Sequence, residues 1–264
     1  MDSAEASTKS IAQLPPLRIH HFLVWTAVFS AVMTLVLSLW RVAKRVTPDS
    51  VVQEFSNWTV FFSTLHWIEL SASLSVLFFG VFWRRKGLPF PSCPGHWLSL
   101  YVVGTGVDDL MRRLIFLTIQ RSSGIATTAH LGMGLLYDFA MLWLSIAAYR
   151  QASGKTWRLV WFCYAIHCSI TVVVSLLYTV ILSYRYLYAT LWVPGPVQLG
   201  WPFSWYVVTQ PYMTYVPVAL LAIFLVAVCI DLVNKRQAHW SHWSVVLTFL
   251  IYQIGFKMTV QFFW

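Results

Sequence analysis

Seven stretches of the chain are predominantly apolar: His21 to Trp40, Trp58 to Trp83, Trp97 to Gln120, Ile125 to Tyr149, Leu159 to Tyr184, Tyr206 to Ile230 and Ser244 to Trp264. A helix rises about 1.5 Å per residue and needs about 20 such residues to cross hydrocarbon, which each stretch supplies. The third interrupts its run with Asp108, Asp109, Leu110, Met111, Arg112 and Arg113, and the sixth contains Pro211 and Pro217, so these are the weakest spans by hydropathy. The pattern predicts an all-α polytopic membrane protein, a bundle of about seven transmembrane helices forming one domain over residues 21–264, with a polar tail over residues 1–20. The first apolar run ends at Trp40-Arg41 without a small-residue cleavage site, which reads as an anchor. Lys and Arg of short loops stay on the cytoplasmic side. An inside N-terminus places ten of them there (Lys9, Arg18, Arg84, Arg85, Lys86, Arg150, Lys155, Arg158, Lys235, Arg236) and five outside (Arg41, Lys44, Arg45, Arg121, Arg185), so a cytoplasmic N-terminus is expected, with the Arg41 to Arg45 cluster arguing the other way.

Composition agrees with this reading. Of the residues, 58% are hydrophobic and 10% charged, against about a quarter charged in soluble proteins, which excludes a water-soluble or disordered chain. The formal charge of +9 therefore belongs to the membrane context, the lipid bilayer being the expected partner and nucleic acid not. A plasma or inner membrane is expected. Fifteen Trp and twelve Tyr suit the two interfaces, where an apolar ring carries a polar tip. The longest outer connection, Arg185 to Trp205, is expected to lie in the headgroup layer as an aromatic anchor or partial lid. Cys93, Cys163, Cys168 and Cys229 fall in a cytoplasmic loop or in inner halves of spans, as reduced packing thiols. The unlike polar contents of the spans do not divide into two repeats of transporter type.

The informative residues are polar ones inside spans. A charged side chain at the bilayer centre costs at least about 2.5–3.5 kcal/mol, so it is retained where it faces the bundle and finds partners. Glu69, Asp108, Asp109, Arg112, Arg113, Asp138 and Lys257 are such residues, joined by His66, His130 and His167. Spacings of three and four put them on single helix faces: Thr59, Ser63, His66, Glu69 and Ser73; Thr127, His130, Gly134 and Asp138; Gln253, Lys257 and Gln261. Asp108 with Arg112, and Asp109 with Arg113, are each four apart and can pair on one helix. Four carboxylates against three cations leave one negative charge, to be met by a proton, a charged histidine or a bound cation.

These residues suggest a polar pocket in the outer half of the bundle that binds a small amphipathic or anionic molecule, a lipid among the candidates. Arg112, Arg113 and Lys257 would hold the head, with Asp108, Asp109, His130, Gln253 and Gln261 beside them. His66, Glu69 and Asp138 are the candidate acid and base groups should the protein modify lipid. No metal and no cofactor is assigned, although His66, Glu69 and His130 are the ligand types a metal would use. Proton-coupled transport and a structural or assembly role are the alternatives. Lys257 in a seventh helix, with Asp108 and Asp109 in the third, resembles the layout of retinal proteins, most nearly the inverted heliorhodopsin group; that resemblance implies a Schiff-base lysine with a carboxylate counter-ion, while Arg112 and Arg113 depart from it. A haem would call on His66 and His130. His96 is expected to snorkel or cap, His239 to Trp243 to anchor at the interface, and Asp231 to pair with Lys235.

Overall fold

A computed structural model of the chain describes residues 16–46, 57–118, 124–152, 154–191, 200–233 and 239–263. These residues form seven helices and no strand: α1 (Ile19–Val46), α2 (Asn57–Arg85), α3 (Pro94–Thr118), α4 (Gly124–Gln151), α5 (Lys155–Leu191), α6 (Gly200–Val233) and α7 (Trp240–Phe263). Each apolar run of the sequence has become one helix, as all-helical burial of backbone polar groups in lipid requires. Among the described residues four segments are long and apolar enough to cross a membrane: Thr64–Arg85, Leu131–Gln151, Lys155–Ile181 and Tyr215–Val233. The apolar part of α1, Ile19–Leu35, is shorter, and α3 carries its four consecutive-turn charges.

Helix ends depart from the expected boundaries. α5 runs on through Tyr186 to Leu191 and α6 begins at Gly200, so much of the connection expected over Arg185 to Trp205 is helical, and residues 192–199 lie outside the described ones. α1 likewise continues through Arg41, Lys44 and Arg45.

Contacts gather the chain into two compact units, one of Met1–Val107, Gln151–Lys155 and Arg236–Trp264, the other of Asp108–Arg150 and Thr156–Lys235. In the first, α2 packs against α7 and α1. Small residues are buried round this part of α2, Ser71, Ala72, Ser73 and Ser75, and the Ser71 and Ser75 hydroxyls donate to carbonyls one turn back at 2.6 and 2.8 Å. Small residues let helices approach where lipid offers no hydrophobic drive. Phe79 and Trp83 centre a core with Val24, Leu88, Phe90 and Trp240. The α2 C-terminus closes as a Schellman turn: Leu88 N–H donates to the Trp83 carbonyl (2.9 Å) and Gly87 N–H to that of Arg84 (3.0 Å), with Gly87 at φ 75° where only glycine is unstrained.

The second unit buries Trp157, Val160 and Trp161 of α5 and Phe224, Ala227 and Val228 of α6, Trp157 meeting Phe224 edge-on at 5.4 Å. Its outward residues are large and apolar, Leu136, Phe139, Trp143, Leu159, Phe162, Ile166 and Val173 among them. Water would penalise such a surface; hydrocarbon accepts it.

Candidate functional site

Polar side chains gather at separate places in the two units. In the first unit α2 sets His66, Glu69 and Ser73 along one face. Glu69 is buried at 2% exposure, and His66 Nδ1 stands 3.5 Å from its carboxylate, an electrostatic contact without hydrogen-bond geometry. The Tyr252 ring of α7 lies 5.0 Å from the His66 ring, and half-buried Gln253 follows it. Ser73 Oγ is buried with no hydrogen-bond partner among the described residues.

In the second unit the later turns of α3 meet α4, and α4 in turn meets α5. Arg112 Nε donates to Asp108 Oδ2 at 2.7 Å, the four-residue spacing placing them on one face. The guanidinium lies against Gly134 of α4, where a Cβ would come within 2.9 Å of Nη2, so glycine makes the room that the arginine occupies. One turn further along α4, Asp138 accepts a short hydrogen bond from the Ser175 hydroxyl of α5. Arg112, Asp108 and His167 all stand within electrostatic range of Asp138. The Arg112 side chain is 31% exposed and that of Asp108 12%, so the cation is the more open member of the pair. Asp108 Oδ1 is buried without a hydrogen-bond partner among the described residues. Comparison with family models, curated proteins and solved structures found no match.

Of the residues singled out in the sequence, Asp108, Arg112 and Asp138 come together, with Asp109 half-buried on the same α3 segment. His66 and Glu69 meet each other in the first unit. The side chains of Arg113, His130, Lys257 and Gln261 lie outside the described residues, as do those of Thr59, Ser63 and Thr127. Among the described residues no group of three or more His, Cys, Asp or Glu is placed to hold a metal ion.

Three features were not visible in the sequence. Ser175 belongs to the Asp138 cluster, but a serine in an apolar helix carries no signal of its partner 37 positions away. Asp231 was expected to pair with Lys235, which lies outside the described residues; its carboxylate receives the Trp157 indole N–H at 2.6 Å, both residues being buried. Finally, His96 and His242 are fully buried in protein; His96 does not snorkel but caps, its Nδ1 accepting the Ser92 N–H at 3.1 Å. They join Ser241 and His239 around the starts of α3 and α7, a set whose clue was histidine at the third position of both helices.

Proposed function

We propose that the chain is a multi-pass membrane protein that binds a small amphipathic molecule with an anionic head, such as a lipid, at the Asp108–Arg112–Asp138 cluster. The observation that carries this is the asymmetry of the α3 ion pair, whose cation is 31% exposed while its carboxylate is 12% exposed. Exposed arginine surface at membrane depth is costly, and an anionic head would cover it through charge-assisted hydrogen bonds. Asp108 holds the Arg112 fork in place, and Asp138 with Ser175 supplies a further polar wall. The test is thermal stability of the detergent-solubilised protein with phosphatidic acid or phosphatidylcholine added. Phosphatidic acid should raise the melting temperature of the wild type and leave Arg112→Met unmoved; equal shifts by both lipids, or an unchanged shift in the variant, would rule the site out.

A second reading, uptake of a proton by the same cluster, is favoured by two carboxylates near one described guanidinium and by the Asp108 oxygen that has no hydrogen-bond partner among the described residues. A protonated carboxyl would appear as a carboxylic-acid C=O band in the infrared spectrum at neutral pH, and that band should vanish in Asp108→Asn or Asp138→Asn.

A further inference from the structure

Four imidazoles at helix starts of the first unit use the same atom for the same task. At α1 the Arg18 N–H donates to His21 Nδ1 at 2.8 Å. At α3 the Ser92 N–H donates to His96 Nδ1 at 3.1 Å, and the Gly95 N–H to Nδ1 of His242, from α7, at 3.0 Å. At α7 the Nδ1 of His239 lies 2.8 Å from the Ser241 hydroxyl and 3.4 Å from the Ser241 N–H. A nitrogen that accepts from a backbone N–H carries no proton, so the donors assign Nδ1 as bare in His96, His239 and His242. The proton of neutral His96 then sits on Nε2, which donates to Ser241 Oγ at 2.7 Å, and the Ser241 hydrogen goes on to His239. The hydrogen bonds thus run in one direction from Ser92 through His96 and Ser241 to His239.

We propose that these histidine caps form an acid-operated latch: neutral imidazoles tie the starts of α3 and α7 together, and protonation of His96, His239 or His242 releases them. An imidazolium has two N–H groups and no lone pair, so the cap it made is lost. Its charge also stands at the positive end of a helix dipole. With His239 protonated, Ser241 Oγ faces N–H groups from both sides. Among the described residues, the charged groups acting on His96 and His21 include no carboxylate. The groups acting electrostatically on His96 are His239 and His242, and those around His21 are His20, His239 and Arg18. From α2 and the turn after it come Trp83, 5.9 Å from His96 and 5.3 Å from His239, and the exposed Arg84, Arg85 and Lys86. From the loop before α3 come Phe90 and Cys93, whose buried thiol is pushed up to about 12 and stays neutral. His21 is not the trigger, since the Arg18 carbonyl lies 3.2 Å from its Nδ1 and gives a protonated ring a partner.

The closed latch refuses protons because burial strips water from the imidazoles, holding His96 down to about 3 and His242 to about 4. An open form with solvated histidines takes them up below about pH 6.5, so opening gains up to about tenfold per pH unit for each histidine, about thirtyfold each between pH 7.5 and 5. The latch does not depend on the ligand proposed for the α3–α5 cluster.

Hydrogen exchange of the full chain in dodecyl maltoside, corrected for intrinsic rate and read on peptides spanning residues 90–99 and 239–246, tests this. Protection there should fall at least tenfold from pH 7.5 to 5 while a peptide spanning residues 160–172 keeps its own. His242→Asn and His239→Asn retain an acceptor that takes no proton, and each should remove part of that pH dependence. Unchanged protection at pH 5 in the wild type, a loss spread equally over the 160–172 peptide, or an equal loss in both variants would overturn the proposal.

Discussion

Global stability should carry the same buried groups as a pH profile with two limbs. On the acid side His96 and His242 sit well below the ordinary 6.5, at about 3 and about 4, because burial penalises the imidazolium. Between those values and 6.5 the unfolded chain binds more protons than the folded one, so stability rises with pH; it is complete above about 6.5 and is lost as pH falls. The slope approaches about 1.4 kcal/mol per pH unit for each group, giving about 4 kcal/mol for the pair between pH 7.5 and 5. Against a total stability of about 5–15 kcal/mol that is a large fraction. On the alkaline side burial moves Cys93 from 9.0 up to about 12, and the sign reverses. There the unfolded thiol ionises first, so stability is complete below about pH 9 and falls as pH rises, by about 2 kcal/mol at pH 10.5. The assay is reversible unfolding by SDS titration in mixed micelles at a series of pH values, followed by far-ultraviolet circular dichroism. The wild type should show both limbs, the double variant His96→Asn, His242→Asn a flattened acid limb, and Cys93→Ala a flattened alkaline limb. A midpoint that does not move between pH 6.5 and 5, or that moves as steeply in the histidine variant, would refute the assignment.

Three further outcomes are expected. Trp157→Phe removes the indole donor of the buried Asp231 carboxylate and should cost about 2–4 kcal/mol, a charge-assisted hydrogen bond plus lost packing volume. A double-mutant cycle with Asp231→Asn should give a coupling above about 1 kcal/mol; additivity within about 0.5 kcal/mol in the same unfolding assay would show that the bond carries nothing. Gly95→Ala would put a Cβ 2.4 Å from His242 Cα and 2.8 Å from its carbonyl oxygen, so the start of α7 must shift, at about 1–3 kcal/mol, measured as a lower unfolding midpoint. Ser175→Ala leaves Asp138 without its hydroxyl donor and should lower stability by about 1–3 kcal/mol while Ser169→Ala, whose hydroxyl bonds only its own helix at 2.8 Å, changes it little; equal effects would remove Ser175 from the cluster.

What the sequence by itself determined was the helices. A backbone in hydrocarbon must satisfy its polar groups within each segment, so a long apolar run dictates a helix without reference to its neighbours, and all seven runs became one helix each. The Asp108–Arg112 pair was legible for the same reason, a spacing of four being a contact on any helix. Helix ends were less so: α5 passes through Tyr186 to Leu191 because ordinary aromatic and aliphatic residues there do not break a helix, whatever their membrane depth. Contacts between helices were decided only by tertiary structure. Nothing local told Ser175 that it would donate to Asp138, Asp231 that it would meet Trp157, or His242 that it would cap Gly95, 147 positions away. Helical periodicity says which face a side chain is on, but the partner across an interface depends on how far each helix is rotated and slid when small residues such as Ser71, Ser73 and Gly95 come into contact, and that is settled by packing of the whole unit.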